Sequence, residues 1–496
     1  MDRILAGIET EYGLLVEGEG PASLLDHSMA LVREFPGERL AFCWDYSLES
    51  PRRDLRGFSL DRLQVDAKDA QLDRGRSQLP GPEQRSDLVL RNGARFYNDH
   101  GHPEYSTQES FSSREAALCD KAGEAIVWSA AQHYERLIQK KVRVFKNNTD
   151  FHQSSYGTHE SFLVPRSLGF EKLFHAVLPM LVCRQILTGA GKVGSESGPW
   201  VDYQISQRAD FFAEPVNAET LSRRPIFNTR DEPHGDPRMW MRLHVISGDA
   251  CMMAGATTRK LELVKLAIRL ALADKAPQWK ILDPVGTFQR ISRSPFREGR
   301  IDLEGGSWTT PREVLESYLS QADAELDLSS EEQDSARECQ ELLEARFANP
   351  AKFARSVDWA AKHSLILACM EDRESTWSDP LAQSLDLAYS DLDPEEGLFG
   401  ALSEMGAIEI QPHQADVRLR EVEVCEPTRA LARSAAVQKF KGQIKRINWS
   451  SITFATPQGE KEIYLPPNAI YPEAIHDVEH LEDFIRHIEE LNDDQG

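Results

Sequence analysis

The chain has 496 residues, 41% hydrophobic and 28% charged, with a formal net charge of −23 at pH 7. That length and mix suit one large globular domain with an appendage. The acidic balance speaks against nucleic acid, which demands a basic surface, and no apolar run approaches the ~18 residues of a membrane span. Glu9 and Glu11 come too early for a secretory signal. Seven scattered cysteines, without CxxC or Cys/His metal spacing, are expected of a reducing cytoplasm.

In chain order, "RILAGIETEYGLLVEG" (3–18) reads as one strand, with Glu9 and Glu11 at i and i+2 on one side. "VLRNGARFYND" (89–99) reads as a strand with Arg95, Tyr97 and Asp99 on one face and Phe96 and Asn98 on the other. Pro103 is expected to end it. Taken alone, this stretch with His100, His102 and Glu104 reads as the solvated edge of a sheet. A helix is expected over 113–139 with Ser113 as its N-cap. "KVRVFKNN" (141–148) and "YGTHESFLVP" (156–165), which holds His159, read as paired strands.

A helix at 168–187 and a strand over 200–212, containing Arg208, come next. A strand over 238–253 contains His244. From 257 to about 425 the pattern is mainly helical, with acidic solvated faces at 320–345. "GQIKRINWSSITFAT" (442–456), with Trp449, and "KEIYLPP" (461–467) suggest a small β-rich appendage. The sum is α+β, a sheet with one polar face and helices on the other.

An isolated carboxylate pair is more often solvated than ligating. Here, however, several strands each offer Glu, Asp, Tyr or His to a sheet face. Carboxylates suit Mg²⁺ held with nucleotide phosphates, and Arg95, Arg208, Arg223, Arg224 and Arg230 are candidates to neutralise phosphoryl charge. The chain has no GxxxxGK[ST], no GxGxxG before a helix and no GxSxG. Any nucleotide would therefore lie on the carboxylate-lined sheet.

"GIETEYG", "NGARFYNDHGHPEYST", "KNNTD…SSYGTHESFL", "SQRADFF", "RRPIFNTRDEPHGD" and "RLHVISGD" resemble, in order, motifs of the prokaryotic ubiquitin-like protein (Pup) ligase and deamidase/depupylase family. The resemblance implies a glutamine-synthetase-like carboxylate–amine ligase fold, an antiparallel sheet cradle backed by helices. Its catalytic domain would span 1–425, with a mobile insertion loop at 52–86, and a small C-terminal domain would span 426–496.

Glu9, Tyr97 and Glu104 then resemble Mg²⁺ ligands, with Glu11 close by, and His159 and His244 serve a second metal or the nucleotide phosphates. Arg95 and Thr107 resemble ATP contacts, Trp449 the aromatic that covers the nucleotide, and Arg208 and Arg230 join the ATP-binding set. Asp99 resembles the catalytic aspartate, as nucleophile or as general base. ATP, or ADP plus phosphate, and Mg²⁺ are the implied cofactors.

"WDYSLESPRRDLRGFSLDR" (44–62) and "DHGHPEYS" resemble the hydrolase branch. That branch cleaves the isopeptide between modifier and lysine and deamidates a C-terminal glutamine. The alternatives are a Pup–protein ligase, a small-molecule carboxylate–amine ligase and a catalytically silent binding protein. The implied partners are a Pup-like disordered modifier and its lysine conjugates, with 292–300 and 140–146 as candidate basic patches. Gln108, Ser247, Cys251 and Trp240 depart from the family pattern and bear on which modifier is served.

Overall fold

A computed structural model describes residues 3–47, 49–62, 83, 85–220 and 222–493. Among the described residues, thirteen strands precede the helical region: β1 (Ala6–Glu11), β2 (Gly13–Val16), β3 (Arg39–Ala41), β4 (Leu88–Leu90), β5 (Arg95–Asp99), β6 (His102–Ser106), β7 (Val142–Phe145), β8 (Thr158–Pro165), β9 (Lys192–Val193), β10 (Tyr203–Gln204), β11 (Glu214–Asn217), β12 (Pro225–Asn228) and β13 (Trp240–Val245). Nine form one sheet in the order β11-β12-β13-β8-β1-β6-β5-β4-β3. Every neighbouring pair is antiparallel except β11 with β12.

Alternation makes one face of this sheet apolar. Leu88, Phe96 and Tyr105 pack with Ile126, Val127 and Ala130 of the helix Ser113–Ile138. Ile8, Phe162 and Leu243 join a larger cluster with the helices Phe170–Cys183 and Ala254–Leu272. Each such buried side chain contributes about 1.5–3 kcal/mol. The other face is left to polar side chains.

Several expectations are corrected. The stretch 93–106 is not an edge, because β5 and β6 lie inside the sheet. Pro103 stands within β6 without cost, since the facing Asn98 turns its N–H to Arg85 O at 2.7 Å. Residues 3–18 form two strands, because Tyr12 N bonds Pro103 O at 2.9 Å and the chain then leaves the sheet. Consequently β7 pairs with β2 and not with β8. Ser112, not Ser113, is the N-cap and accepts from Glu115 N. Most of 200–212 is irregular, with only Tyr203–Gln204 a strand.

Residues 63–82 and 84, most of the expected 52–86 loop, lie outside the described residues. Its first part is anchored. Leu55 N bonds Thr229 O at 2.8 Å, Asp231 N bonds Arg53 O at 2.9 Å, and Thr229 Oγ1 donates to Asp54 at 2.6 Å. A cut that spares these bonds must begin beyond residue 55.

At the C-terminal end, the helices Arg429–Lys439 and Leu481–Asp493 enclose the antiparallel strands Ile444–Ile447, Ser451–Thr456 and Gly459–Tyr464. Their apolar cluster takes in Leu40, Trp44 and Val89 from the first ninety residues. Glu109 ties this unit to the sheet, accepting from Arg429 Nε at 2.6 Å and Arg433 Nη1 at 3.0 Å. No helix among the described residues is long and apolar enough to cross a membrane.

Candidate active site

Strand register assembles the polar face into rows. Glu9 lies opposite His159 on β8 and Ser106 on β6, and Ser106 lies opposite Arg95 on β5. One pleat further along, Glu11 faces Glu104, which faces Tyr97. Asp99 closes the β5–β6 hairpin opposite His102. These side chains open on a cavity of about 1090 Å³. His244, Arg208, Arg230 and Trp449 also line it.

Two clusters of donor atoms result. In the first, Glu9, His159 and His244 place one ligand atom each within 4.8 Å of the others. The two rings meet edge to face at 5.1 Å. Both nitrogens of buried His244 lack a hydrogen-bond partner among the described residues. Burial, then Arg242 and His159, push its pKa well below the usual range, so the ring is a neutral, ligand-ready imidazole. Burial raises Glu9, but His159 and Arg242 outweigh it and leave the carboxyl lowered.

The second cluster is Glu11, Asp99 and Glu104. Tyr97 OH donates to Glu104, and Glu11 accepts from Gly157 N at 2.7 Å. Burial, reinforced by Asp99, Glu11 and Glu9, pushes Glu104 well above the carboxylate range. Crowded carboxylates that raise one of their number form a cavity suited to a hard cation. Asp99 is held differently. Its Oδ1 accepts from Arg85 at 2.7 Å and its Oδ2 pairs with His100 Nδ1 at 2.8 Å. Burial raises this carboxyl, but His100 and Arg85 dominate and hold it well below its ordinary value. Both oxygens are thus engaged by cation-forming side chains, which sets Asp99 apart from the ligand set.

The expected nucleotide residues divide. Arg95 is boxed in: Nε bonds Asp87 at 2.8 Å, Nη2 bonds Tyr46 OH at 2.6 Å, and the guanidinium lies 3.8 Å from the Tyr97 ring centroid. Thr107 lines a smaller adjoining cavity of about 60 Å³, and its Oγ1 is committed to Ile8 N at 3.0 Å. Trp449 borders both cavities and meets Trp44 edge to face at 5.0 Å. Arg230 donates to Thr220 Oγ1 at 3.0 Å, and burial lowers its pKa. Arg208 donates to Tyr156 O, and burial brings its pKa down to about 10. The Nε atoms of both have no partner among the described residues.

Arg223 is excluded from the cavity, since it is exposed and paired with Glu214, whereas Arg224 lines it. Most cations of the candidate basic patches are paired with carboxylates. Lys140, Lys141, Arg143 and Lys146 pair with Glu19, Asp393, Asp391 and Asp120, and Arg293 and Arg300 pair with Asp210 and Asp302. The cavity lining itself brings six arginines, Arg85, Arg95, Arg208, Arg224, Arg230 and Arg242, among eight carboxylates.

Sequence reasoning missed Arg85, His100 and Arg242. Arg242 carried a legible signal, two residues before His244 on the same strand. It stands 3.7 Å from Glu9 and 3.3 Å from Glu232. Arg85 carried none, because only the folded chain lays it on Asp99.

An α+β cradle with paired acidic and imidazole clusters beside an aromatic-capped cavity is the class defined here. The fold is shared with a solved structure of the complex between Pup and its ligase PafA (TM-score 0.78, 25% identity, 100% of this chain and 95% of that one). It is also shared with a structure of the Pup ligase PafA in complex with ADP (TM-score 0.73, 26% identity, 88% and 96%). The chain belongs to the Pup-ligase protein family, which it matches over residues 3–453.

Among curated relatives, it is 36% identical over 472 residues to the depupylase of Acidothermus cellulolyticus, covering 92% of each chain. It is 32% identical to the Pup deamidase/depupylase of Mycolicibacterium smegmatis, again covering 92% of each. To the Pup–protein ligase of Acidimicrobium ferrooxidans it is 37% identical, over 72% of this chain and 80% of the relative.

Proposed function

We propose that this chain is a nucleotide- and Mg²⁺-dependent hydrolase of a Pup-like modifier. It releases the modifier from lysine side chains and deamidates a C-terminal glutamine, within a catalytic domain spanning 1–425 and capped by 426–496. The observation that carries the reading is Asp99, an ionised carboxylate fixed at both oxygens beside an acidic cation cavity. Similarity over nearly the full length to depupylases, against partial coverage by the ligase, favours hydrolysis over ligation.

Glu9, Tyr97 and Glu104, with Glu11 beside them, would hold Mg²⁺, and His159 and His244 would complete a second position. Arg95, Thr107, Arg208, Arg230 and Trp449 would surround ATP, or ADP plus phosphate. Mg²⁺ and phosphate held by these residues would supply polarisation of the scissile carbonyl. Asp99 either attacks that carbonyl or takes the proton of an attacking water, and its grip by Arg85 and His100 serves both jobs. Amide hydrolysis runs downhill, so the nucleotide need not be consumed at each turnover.

Two substrates test the proposal: a pre-formed modifier–protein conjugate, and free modifier ending in glutamate with an acceptor protein. The conjugate should be cleaved. Conjugate formation with ATP turnover and no release would overturn the hydrolase reading in favour of the ligase. For the metal role, Glu9→Gln should weaken Mg-nucleotide binding about tenfold or more, a neutral amide being a poor ligand for a hard cation. Calorimetry giving unchanged affinity at saturating Mg²⁺ would remove Glu9 from the site.

A further inference from the structure

We infer that His100 is the proton carrier of the reaction, donating to the nitrogen that leaves and recovering the proton from water. The inference rests on the hydrolase reading of Asp99 and assigns a second residue to it. The turn Asp99-His100-Gly101-His102 has positive φ at both central positions, 44° for His100 and 92° for Gly101, between the paired residues Asp99 and His102. Two-residue hairpins of this kind favour Asn, Asp or Gly at the first position, and histidine is among the few other residues that tolerate it. The conformation turns the ring back, so that Nδ1 lies 2.8 Å from Asp99 Oδ2, and His100 lines the cavity. Its side chain is 23% exposed, within reach of substrate.

The chemistry needs such a group. When an Asp99 oxygen attacks the isopeptide carbon, that oxygen and the leaving nitrogen are bonded to the same carbon in the adduct. A donor one hydrogen bond from the first therefore stands beside the second. The carbon–nitrogen bond breaks as the imidazolium proton passes to nitrogen, giving neutral lysine amine, neutral His100 and a glutamyl–aspartyl anhydride. Water then adds to the anhydride and loses one proton to His100, restoring imidazolium and the Asp99 carboxylate, while the modifier's released carboxyl gives the second proton to the lysine amine, which departs as ammonium. The same donor is needed if Asp99 deprotonates water instead, since an alkylamine is a poor leaving group unless protonated. Arg85, on the other oxygen, cannot give up a proton.

The competing role is orientation of Asp99 alone, and leaving-group dependence separates the two. His100→Asn suits the left-handed turn and can still donate a hydrogen bond to Asp99, but it cannot shuttle a proton. Cleavage of a lysine conjugate should fall by about 10²-fold or more in kcat with little change in KM. A nitrophenyl ester of the modifier's terminal γ-carboxyl, whose leaving group departs without a proton, should release nitrophenolate in a single turnover within about fivefold of the parent rate. His100→Gly, which also fits the turn, should recover conjugate cleavage on addition of imidazole. Equal losses on both substrates, or no imidazole rescue in folded, nucleotide-binding protein, would reduce His100 to a positioning residue and overturn the inference. The underlying reading fails separately: Asp99→Asn that still cleaves the conjugate removes Asp99 and leaves these ratios to be read on their own.

Discussion

Asp99→Asn is expected to lower conjugate cleavage by at least about 10³-fold while nucleotide affinity stays within about threefold of the parent. The substitution replaces a carboxylate by an amide of nearly the same shape. The fold has little reason to change, because Asp99 ends its strand beside the cavity and contributes no apolar contact. Arg85 and His100 would lose a counter-charge, so a small stability change is expected alongside. Single-turnover cleavage and calorimetric nucleotide titration on the same preparation check both halves. Cleavage within tenfold of the parent would move the reactive oxygen to another residue.

Glu109→Gln is expected to cost about 3–5 kcal/mol, the usual result of removing one member of a buried charge cluster. Arg429 and Arg433 are both buried, and each spends hydrogen bonds on Glu109. An amide leaves two guanidinium groups without their counter-ion. Burial raises the Glu109 carboxyl, but Arg433 and Arg429 outweigh it and bring the pKa down to about 2. The folded value thus lies below the ordinary 4.5. The stabilisation is complete above that ordinary value and fades as pH falls toward about 2. Urea titrations at neutral and acidic pH should show a parent–variant gap that narrows on acidification. Arg433 also donates to Trp449 O at 3.1 Å and lies 5.0 Å from its ring, so the variant should bind nucleotide more weakly. A loss below about 1 kcal/mol at neutral pH would show that the C-terminal unit docks without this cluster.

Much of this site is legible in the sequence because strand alternation is short-range physics. Glu9 with Glu11, and Tyr97 with Asp99, share faces through the two-residue period alone, as does the apolar side made by Phe96. What alternation cannot supply is register. Nothing local says that Glu11 meets Glu104, or that Glu9 meets His159, since those pairings depend on which strands neighbour β1. The error at β7 has the same origin. A polar connection between two β-like runs suggests a hairpin, but the bond from Tyr12 N to Pro103 O turns β2 out of the sheet and offers β7 another partner. The 93–106 stretch misled for a related reason. A row of charge and phenol looks solvated unless a cavity exists to receive it, and the walls of that cavity come from remote segments. His100 and Arg85 were obscure because their contact with Asp99 depends on backbone twist and tertiary closure.

The walls of the cavity bordered by Trp449 come from both ends of the chain: Gly7 and Glu9 on one side, Trp449 and Arg429 on the other. A chain emerging from the ribosome therefore has its acidic sheet face ready long before the aromatic cap exists. Until about residue 450 is released, Trp44 and Leu40 lack the apolar partners they meet in the finished fold, and Glu109 waits for its two arginines. Such late, long-range closure is slow and exposes sticky surface meanwhile. A nascent or C-terminally clipped chain would likewise carry Asp99 without the cap that Trp449 forms. Activity should therefore arise in one step, late in synthesis.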